Sequence, residues 1–239
     1  MRTIAHLSDL KVGSTAPEML EALSDLLARL QPTLVVVAGN MTHSGQAGEL
    51  RNARLLLDSM PSPQIVVPGD RDFGNSRYTR LLSTSASFFT AIESKTFPCF
   101  ADSEIVVVGA DMSKATQVKH GGRDEAGQKQ IDPLFEAADP SALRLMVACR
   151  PGFAMDERET RRPLDLVLTG SPDPHDPSYE GMTPPVIYTQ DWAEGLAFNF
   201  LRLTPSEVVI ERYGWKDAHA EFRLLGSETL ALSHSKRTA

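Results

Sequence analysis

Residues Leu34-Val35-Val36-Val37-Ala38 form an unbroken apolar run that stops at Gly39-Asn40. A strand with no polar face must be covered on both sides, which happens in sheets with packed layers above and below them. The flanking sequence can supply those layers. Thr3 to Leu7 reads as a preceding strand, closed by Ser8-Asp9-Leu10-Lys11, and Gln64 to Val67 reads as a following one, closed by Pro68-Gly69-Asp70-Arg71-Asp72. Between them lie two amphipathic segments. Leu20, Leu23, Leu27 and Leu30 repeat at helical spacing after a predicted capping box of Thr15 and Glu18. Leu50, Ala53, Leu57 and Met60 share one face of a second helix. Strand, helix, strand, helix, strand is the pattern of an α/β fold.

The middle of the chain is less regular. A helix is expected over Arg77 to Ile92 with Phe88 and Phe89 in the core, and another from Glu125 to Ala138, stopped by Asp139-Pro140. Strands are expected at Ile105 to Val108, Leu143 to Ala148 and Leu164 to Leu168. Val186 to Thr189, Ala197 to Leu203, Glu207 to Tyr213 and Ala220 to Leu224 read as short strands of an antiparallel meander. With 239 residues and no repeat or linker, the chain is read as one domain spanning 1–239.

Composition narrows the classes of function. The formal net charge of -7 gives no basic footprint for nucleic acid. Two cysteines, Cys99 and Cys149, are too few for a disulfide framework, the start of the chain has no signal-peptide core, and no apolar run reaches membrane-spanning length. A cytoplasmic protein is the expectation.

In an α/β sheet, sites form just outside the carboxyl ends of the strands. The turns at these ends carry most of the charged residues that could do chemistry, and in order they resemble the blocks of the calcineurin-like metallophosphoesterases. His6-Leu7-Ser8-Asp9-Leu10 is similar to the family's opening Asp-x-His block, with Lys11 in place of His. Val36-Val37-Ala38-Gly39-Asn40 resembles the Gly-Asp block, with Asn40 for Asp. Gly69-Asp70-Arg71-Asp72 resembles Gly-Asn-His-Asp, with Asp70 for Asn and Arg71 for His. Cys149-Arg150-Pro151 lies where His-His-Pro is usual, and Gly170-Ser171-Pro172-Asp173 where Gly-His-x-His is usual.

The resemblance implies a four-layer α/β/β/α sandwich, with two mixed β-sheets flanked by helices. It also implies an activity, phosphoester hydrolysis by two divalent metals such as Mn, Fe or Zn that clamp phosphate and supply hydroxide. Of the ligands that the family pattern requires, only Asp9 is retained, and no His stands at a matched ligand position. Lys11, Arg71 and Arg150 instead bring positive charge, and neither Lys nor Arg is an ordinary metal ligand. No metal or other cofactor is therefore expected.

The residues predict a charge exchange. Asp9, Asp70, Asp72 and Asp173 would repel one another at one rim, and Lys11, Arg71 and Arg150 would neutralise them as ion pairs. This reading makes the chain a non-catalytic pseudo-metallophosphoesterase that acts by binding or regulation, with a phosphorylated small molecule or a protein as partner. In a variant of it, Lys11, Arg71 and Arg150 hold a phosphate without metal. The alternative is a weak or atypical phosphodiester hydrolase, either metal-free or using Mg²⁺ on the oxygen ligands Asp9, Asn40, Asp70 and Asp173. His6 is expected in the core, His43, His120 and His175 in solvent-facing loops, and Cys149 as a plain buried thiol.

Overall fold

The computed structural model describes residues 1–73, 84–110, 125–149, 163–170, 184–189 and 196–232. The expected opening is present as β1 (Arg2–Leu7), α1 (Pro17–Leu30), β2 (Leu34–Ala38), α2 (Ala47–Ser59) and β3 (Gln64–Val67), followed by a 3-10 turn at Asp70–Phe73. The described chain continues with α3 (Thr84–Ala91), β4 (Cys99–Ala101), β5 (Ile105–Ala110), α4 (Glu125–Glu136), β6 (Leu143–Ala148) and β7 (Leu166–Thr169). Then come β8 (Val186–Tyr188), β9 (Ala197–Leu203), β10 (Glu207–Lys216) and β11 (Glu221–Ala231).

These strands form two mixed sheets, ordered β11-β10-β9-β1-β2-β3 and β4-β5-β6-β7-β8. Strands β1, β2 and β3 run parallel, and β9 pairs antiparallel with β1. In the second sheet β5 to β8 are parallel, with β4 antiparallel at the edge. Side-chain alternation then builds three cores. Ala5, Leu7, Val35 and Val37 face Leu23, Leu27, Ala53 and Leu57 of the first two helices. Ile4, Val36 and Ile65 face Val107, Leu145 and Leu168 across the space between the sheets. Val106, Val108 and Met146 meet Ile131 and Phe135 of α4 on the outer side of the second sheet. The result is the expected α/β/β/α layering.

Several expectations need correction. Helix α1 is not opened by Thr15; its N-cap is Ala16, without a side-chain bond, and Pro17 supplies the first helical φ. The side-chain entry bonds belong to α2, where the Glu49 carboxylate accepts from the N–H groups of Ser44 and Gln46. The meander is confined to β9, β10 and β11, whereas β8 runs parallel to β7 in the other sheet. Strand β4 carries no clear signal in the sequence. Trp215 is a core residue, with its indole N–H donating to Asp217 at 2.6 Å and its ring edge-on to Phe222. Cys99 and Cys149 form no disulfide. No helix among the described residues is long and apolar enough to cross a membrane.

Candidate functional site

The ends of β1 and β2 do not separate where the sheet stops. The N–H of Asp9 donates to Gly39, that of Lys11 to Asn40, and that of Val12 to Met41, at 2.9–3.1 Å. This zippering continues the parallel ladder into the two turns. It also forces unusual backbone: Asp9, Lys11 and Asn40 all have φ between 44° and 53°, in the left-handed region. Left-handed non-glycine residues persist only where surroundings hold them, and they cluster at functional sites. Gly39, at φ 92°, lets the β2 end pass close to Cys149, since a Cβ there would lie 2.6 Å from the Cys149 Sγ.

The side chains close over this frame. Asp9 Oδ1 accepts from Asn40 Nδ2 at 3.0 Å and lies 3.5 Å from Lys11 Nζ. Asp9 Oδ2 accepts from Ser8 Oγ at 3.0 Å, and Ser8 Oγ makes a very short contact with Thr189 Oγ1. Because the single hydroxyl proton of Ser8 goes to Asp9, the bond between the two hydroxyls must be donated by Thr189. Asn40 Oδ1 accepts from the Arg71 N–H at 3.2 Å. The orientation of the Asn40 amide is thus fixed from both ends: a carboxylate only accepts and a main-chain N–H only donates.

Asp72 departs from expectation. It does not stand at the rim to balance Lys or Arg. The 3-10 turn carries it inward, where it is 2% exposed. Its carboxylate accepts from the N–H of Gly69 (2.8 Å), Thr42 (2.7 Å) and Met41 (3.2 Å), and from Thr42 Oγ1 (2.8 Å). Burial pushes its carboxyl above the usual range, against the pull of these donors. Asp72 is a staple that fastens the β3 turn to the β2 turn. Gly69 completes the junction, since a Cβ there would overlap the Asn40 main-chain nitrogen.

Five of the matched positions, Asp9, Lys11, Asn40, Asp70 and Arg71, therefore lie on three adjoining turns. Asp70 is half-buried and Arg71 exposed; the Arg71 guanidinium makes no ion pair with Asp9, Asp70 or Asp72. Among the described residues, the expected pairing is thus found for Lys11 with Asp9 and not for Arg71. Cys149 is half-buried at the end of β6, and its carbonyl accepts from Thr169 Oγ1 at 3.0 Å. Arg150, Ser171 and Asp173 lie outside the described residues, as do His120, His175, Trp192 and most of the Pro151–Leu164 segment.

Two histidines are informative. His6 is fully buried between the sheets, with neither ring nitrogen in a hydrogen bond of normal geometry. Burial lowers its pKa to about 3, and the main chain of Thr169 acts in the opposite direction. His43 is not a solvent loop residue: it is half-buried, its N–H donates to Val12, and its Nδ1 is shut off from water. Ser8, Thr42 and Thr189 also shape the site, although the block pattern does not single them out. Thr42 has a sequence signal, two residues past Asn40, while Thr189 has none.

The donor set on these turns does not fit a di-metal centre. Both oxygens of Asp9 are already bonded, an ammonium shares its surroundings, and among the described residues no imidazole enters. Among the described residues no three His, Cys, Asp or Glu side chains converge in a way that could hold a metal ion.

Comparison with known proteins agrees with the fold. No curated relative matches the chain by sequence. In three dimensions it is similar to a dimetal phosphatase from Danio rerio, at 14% identity and TM-score 0.60, over 96% of this chain and 98% of that one. It is also similar to purple acid phosphatase PPD1 from yellow lupin seeds, at 11% identity and TM-score 0.59, over 96% of this chain and 53% of that one. Vps29 from Chaetomium thermophilum aligns at 10% identity with TM-score 0.49, over 97% of this chain and 96% of that one. At these identities the two phosphatase structures speak to the fold alone. The sequence model of the calcineurin-like phosphoesterases matches residues 2–195, and the chain belongs to that family.

Proposed function

We propose that this chain is a non-catalytic member of the family that acts by binding, as a pseudo-phosphoesterase. The observation that carries the reading is the position of Lys11. Its ammonium lies 3.5 Å from Asp9 Oδ1, the one retained ligand, and a fixed cation there opposes a divalent ion. Asn40 reinforces it, because the amide hydrogen that Asp9 accepts takes a lone pair that a metal would need. Lys11 and Arg71, together with Arg150, which follows the β6 end in sequence, form the proposed contact point for a phosphorylated small molecule or for an acidic surface of a protein partner. No cofactor is part of this reading.

The test is a metal analysis of the purified protein after dialysis, together with hydrolysis of bis-p-nitrophenyl phosphate with and without Mn²⁺. The expected result is no retained Mn, Fe or Zn and no turnover above a Lys11→Ala, Arg71→Ala control. Stoichiometric metal lost on Asp9→Ala, or Mn²⁺-dependent turnover lost with it, would overturn the proposal. Calorimetry with inorganic phosphate and with AMP reads the binding half separately, where Arg71→Ala is expected to weaken any heat observed.

A further inference from the structure

The longest of the described strands is also an edge. β11 pairs with β10 on one side, and among the described residues no strand lies against its other side. Nine of its eleven residues are exposed, including Leu224 at 53% and Leu225 at 36%. Natural edges are usually blunted against pairing by proline, by charged side chains, especially Lys, or by a bulge that twists the edge away. β11 has no proline, and its charges are of both signs: Glu221, Arg223 and Glu228.

A bulge sets how these charges face. Arg212 opposes Gly226 and Tyr213 opposes Leu224, so Leu225 is an extra residue on β11. Before it Phe222 packs toward the helices, and after it Leu230 packs toward the second sheet. The alternation has therefore shifted by one. Arg223 and Glu228, five residues apart, lie on the same face instead of opposite faces. Leu225 lies on that face too, since a Cβ on Gly214 would meet its Cδ1 at 2.5 Å and Gly214 pairs with Arg223. Gly226 has open space where a side chain would stand.

We propose that β11 is a self-association edge, and that its occupant is β11 of a second copy of this chain. Antiparallel pairing about a two-fold axis between Leu225 and Gly226 sets Arg223 opposite the partner's Glu228, twice. It also sets Leu225 against the space beside the partner's Gly226. An axis between neighbouring residues would put side chains of opposite faces together in a regular strand, and the bulge removes that conflict. Arg223 is held within its own chain by Glu221, and Glu228 by Arg212, so both charges are presented in fixed positions. The two sheets join into one, with the cation-bearing turns of each copy left uncovered at the far strands. A single strand pair is a contact below roughly 1,200 Å², so the dimer is a weak and reversible one.

Sedimentation velocity over a concentration series up to about 100 µM reads the association, since a contact of this class has a Kd in the micromolar range. Wild type is expected to move from monomer toward dimer. Arg223→Glu alone places Glu against Glu at both positions, and Glu228→Arg alone places Arg against Arg; each is expected to stay monomeric. An equimolar mixture of the two variants restores both opposite-charge pairs and is expected to form a heterodimer. That recovery cannot come from a misfolded edge or from the lost intrachain pairs. A wild type that stays monomeric, a dimer that survives both single variants, or a mixture that stays monomeric would each overturn the proposal.

Discussion

The side-chain amide of Asn40 donates to the Asp9 carboxylate at 3.0 Å, across the gap between the first two strand ends. Where two carboxylates would face each other and need a cation, the chain has one carboxylate and one amide that bond directly. Asn40→Asp reverses this. It trades a hydrogen bond for a pair of like charges with Lys11 as the only adjacent described cation. The variant is expected to lose roughly 1–3 kcal/mol at pH 7. The deficit should shrink toward pH 4.5, where the paired carboxylates share a proton and the repulsion is relieved. Urea unfolding at the two pH values checks it, and a variant as stable as wild type at pH 7 would show that the Asp9–Asn40 bond contributes nothing.

Asp72 and Arg71 are neighbours with opposite sensitivities. Asp72 is buried under four donors, whereas the Arg71 guanidinium is exposed. Asp72→Asn presents an NH₂ group to a site of three main-chain N–H donors and one hydroxyl, so whichever way the amide turns at least one buried N–H is left unmet, a loss of roughly 3 kcal/mol. Arg71→Ala is expected to change stability by no more than about 0.5 kcal/mol. Denaturant midpoints for the two variants decide between this assignment and a rim ion pair, in which case Arg71→Ala would carry the larger cost.

How far the sequence reveals this arrangement depends on how local each determinant is. β2 is legible because five apolar residues before Gly39-Asn40 admit few alternatives, and the strand ends that make the site are legible with it. The direction of Asp72 is not, because it is set by a 3-10 turn whose only purpose is visible in the donors it reaches, thirty residues earlier in the chain. β4 is three half-exposed or exposed residues at a sheet edge, too short to show alternation. β8 carries nothing that names its sheet, since a three-residue strand has the same pattern in a meander or beside β7. β11 runs to Ala231 where the sequence shows only Ala220 to Leu224, because Leu230 alone of its second half packs against a core, and one apolar position shows no alternation. The cation–carboxylate exchange is half legible: the residue types announce it, and among the described residues geometry assigns it to Lys11 and not to Arg71.

Two glycines test the junction with the same substitution and opposite outcomes. Gly69→Ala places a Cβ into the Asn40 backbone, which is pinned by the zippered turns and cannot yield cheaply. It is expected to cost roughly 3 kcal/mol or more. Gly48 lies in the first turn of α2, and a Cβ there would meet nothing within 4 Å, so Gly48→Ala only removes unfolded-state freedom and improves helix propensity. It should stabilise the protein by about 0.5 kcal/mol. Thermal or urea unfolding of both variants reads the sign, and a neutral Gly69→Ala would mean that the β2 and β3 turns are not in contact.

His6 sets an acid limit on the fold. It is buried between the sheets, opposite Asn199 in the β1–β9 register, and its pKa is lowered from 6.5 to about 3 by burial. The sign follows from proton uptake. Between pH 6.5 and 3 the unfolded chain binds a proton at this ring and the native protein does not. Stability from this group is therefore complete above pH 6.5 and falls as the pH drops through that window. From about pH 7.5 to 4.5 the loss amounts to about 3 kcal/mol, at roughly 1.36 kcal/mol per pH unit. Carboxylates titrate in the same range, so the readout is the difference between wild type and His6→Leu. Neither ring nitrogen makes a hydrogen bond of normal geometry, and the only partner among the described residues is the main chain of Thr169, so the variant should be within about 1 kcal/mol of wild type at about pH 7.5. At about pH 4.5 it should be the more stable of the two. Parallel pH profiles for the two proteins would show that the His6 ring reaches a proton acceptor in the native state and does not limit acid stability.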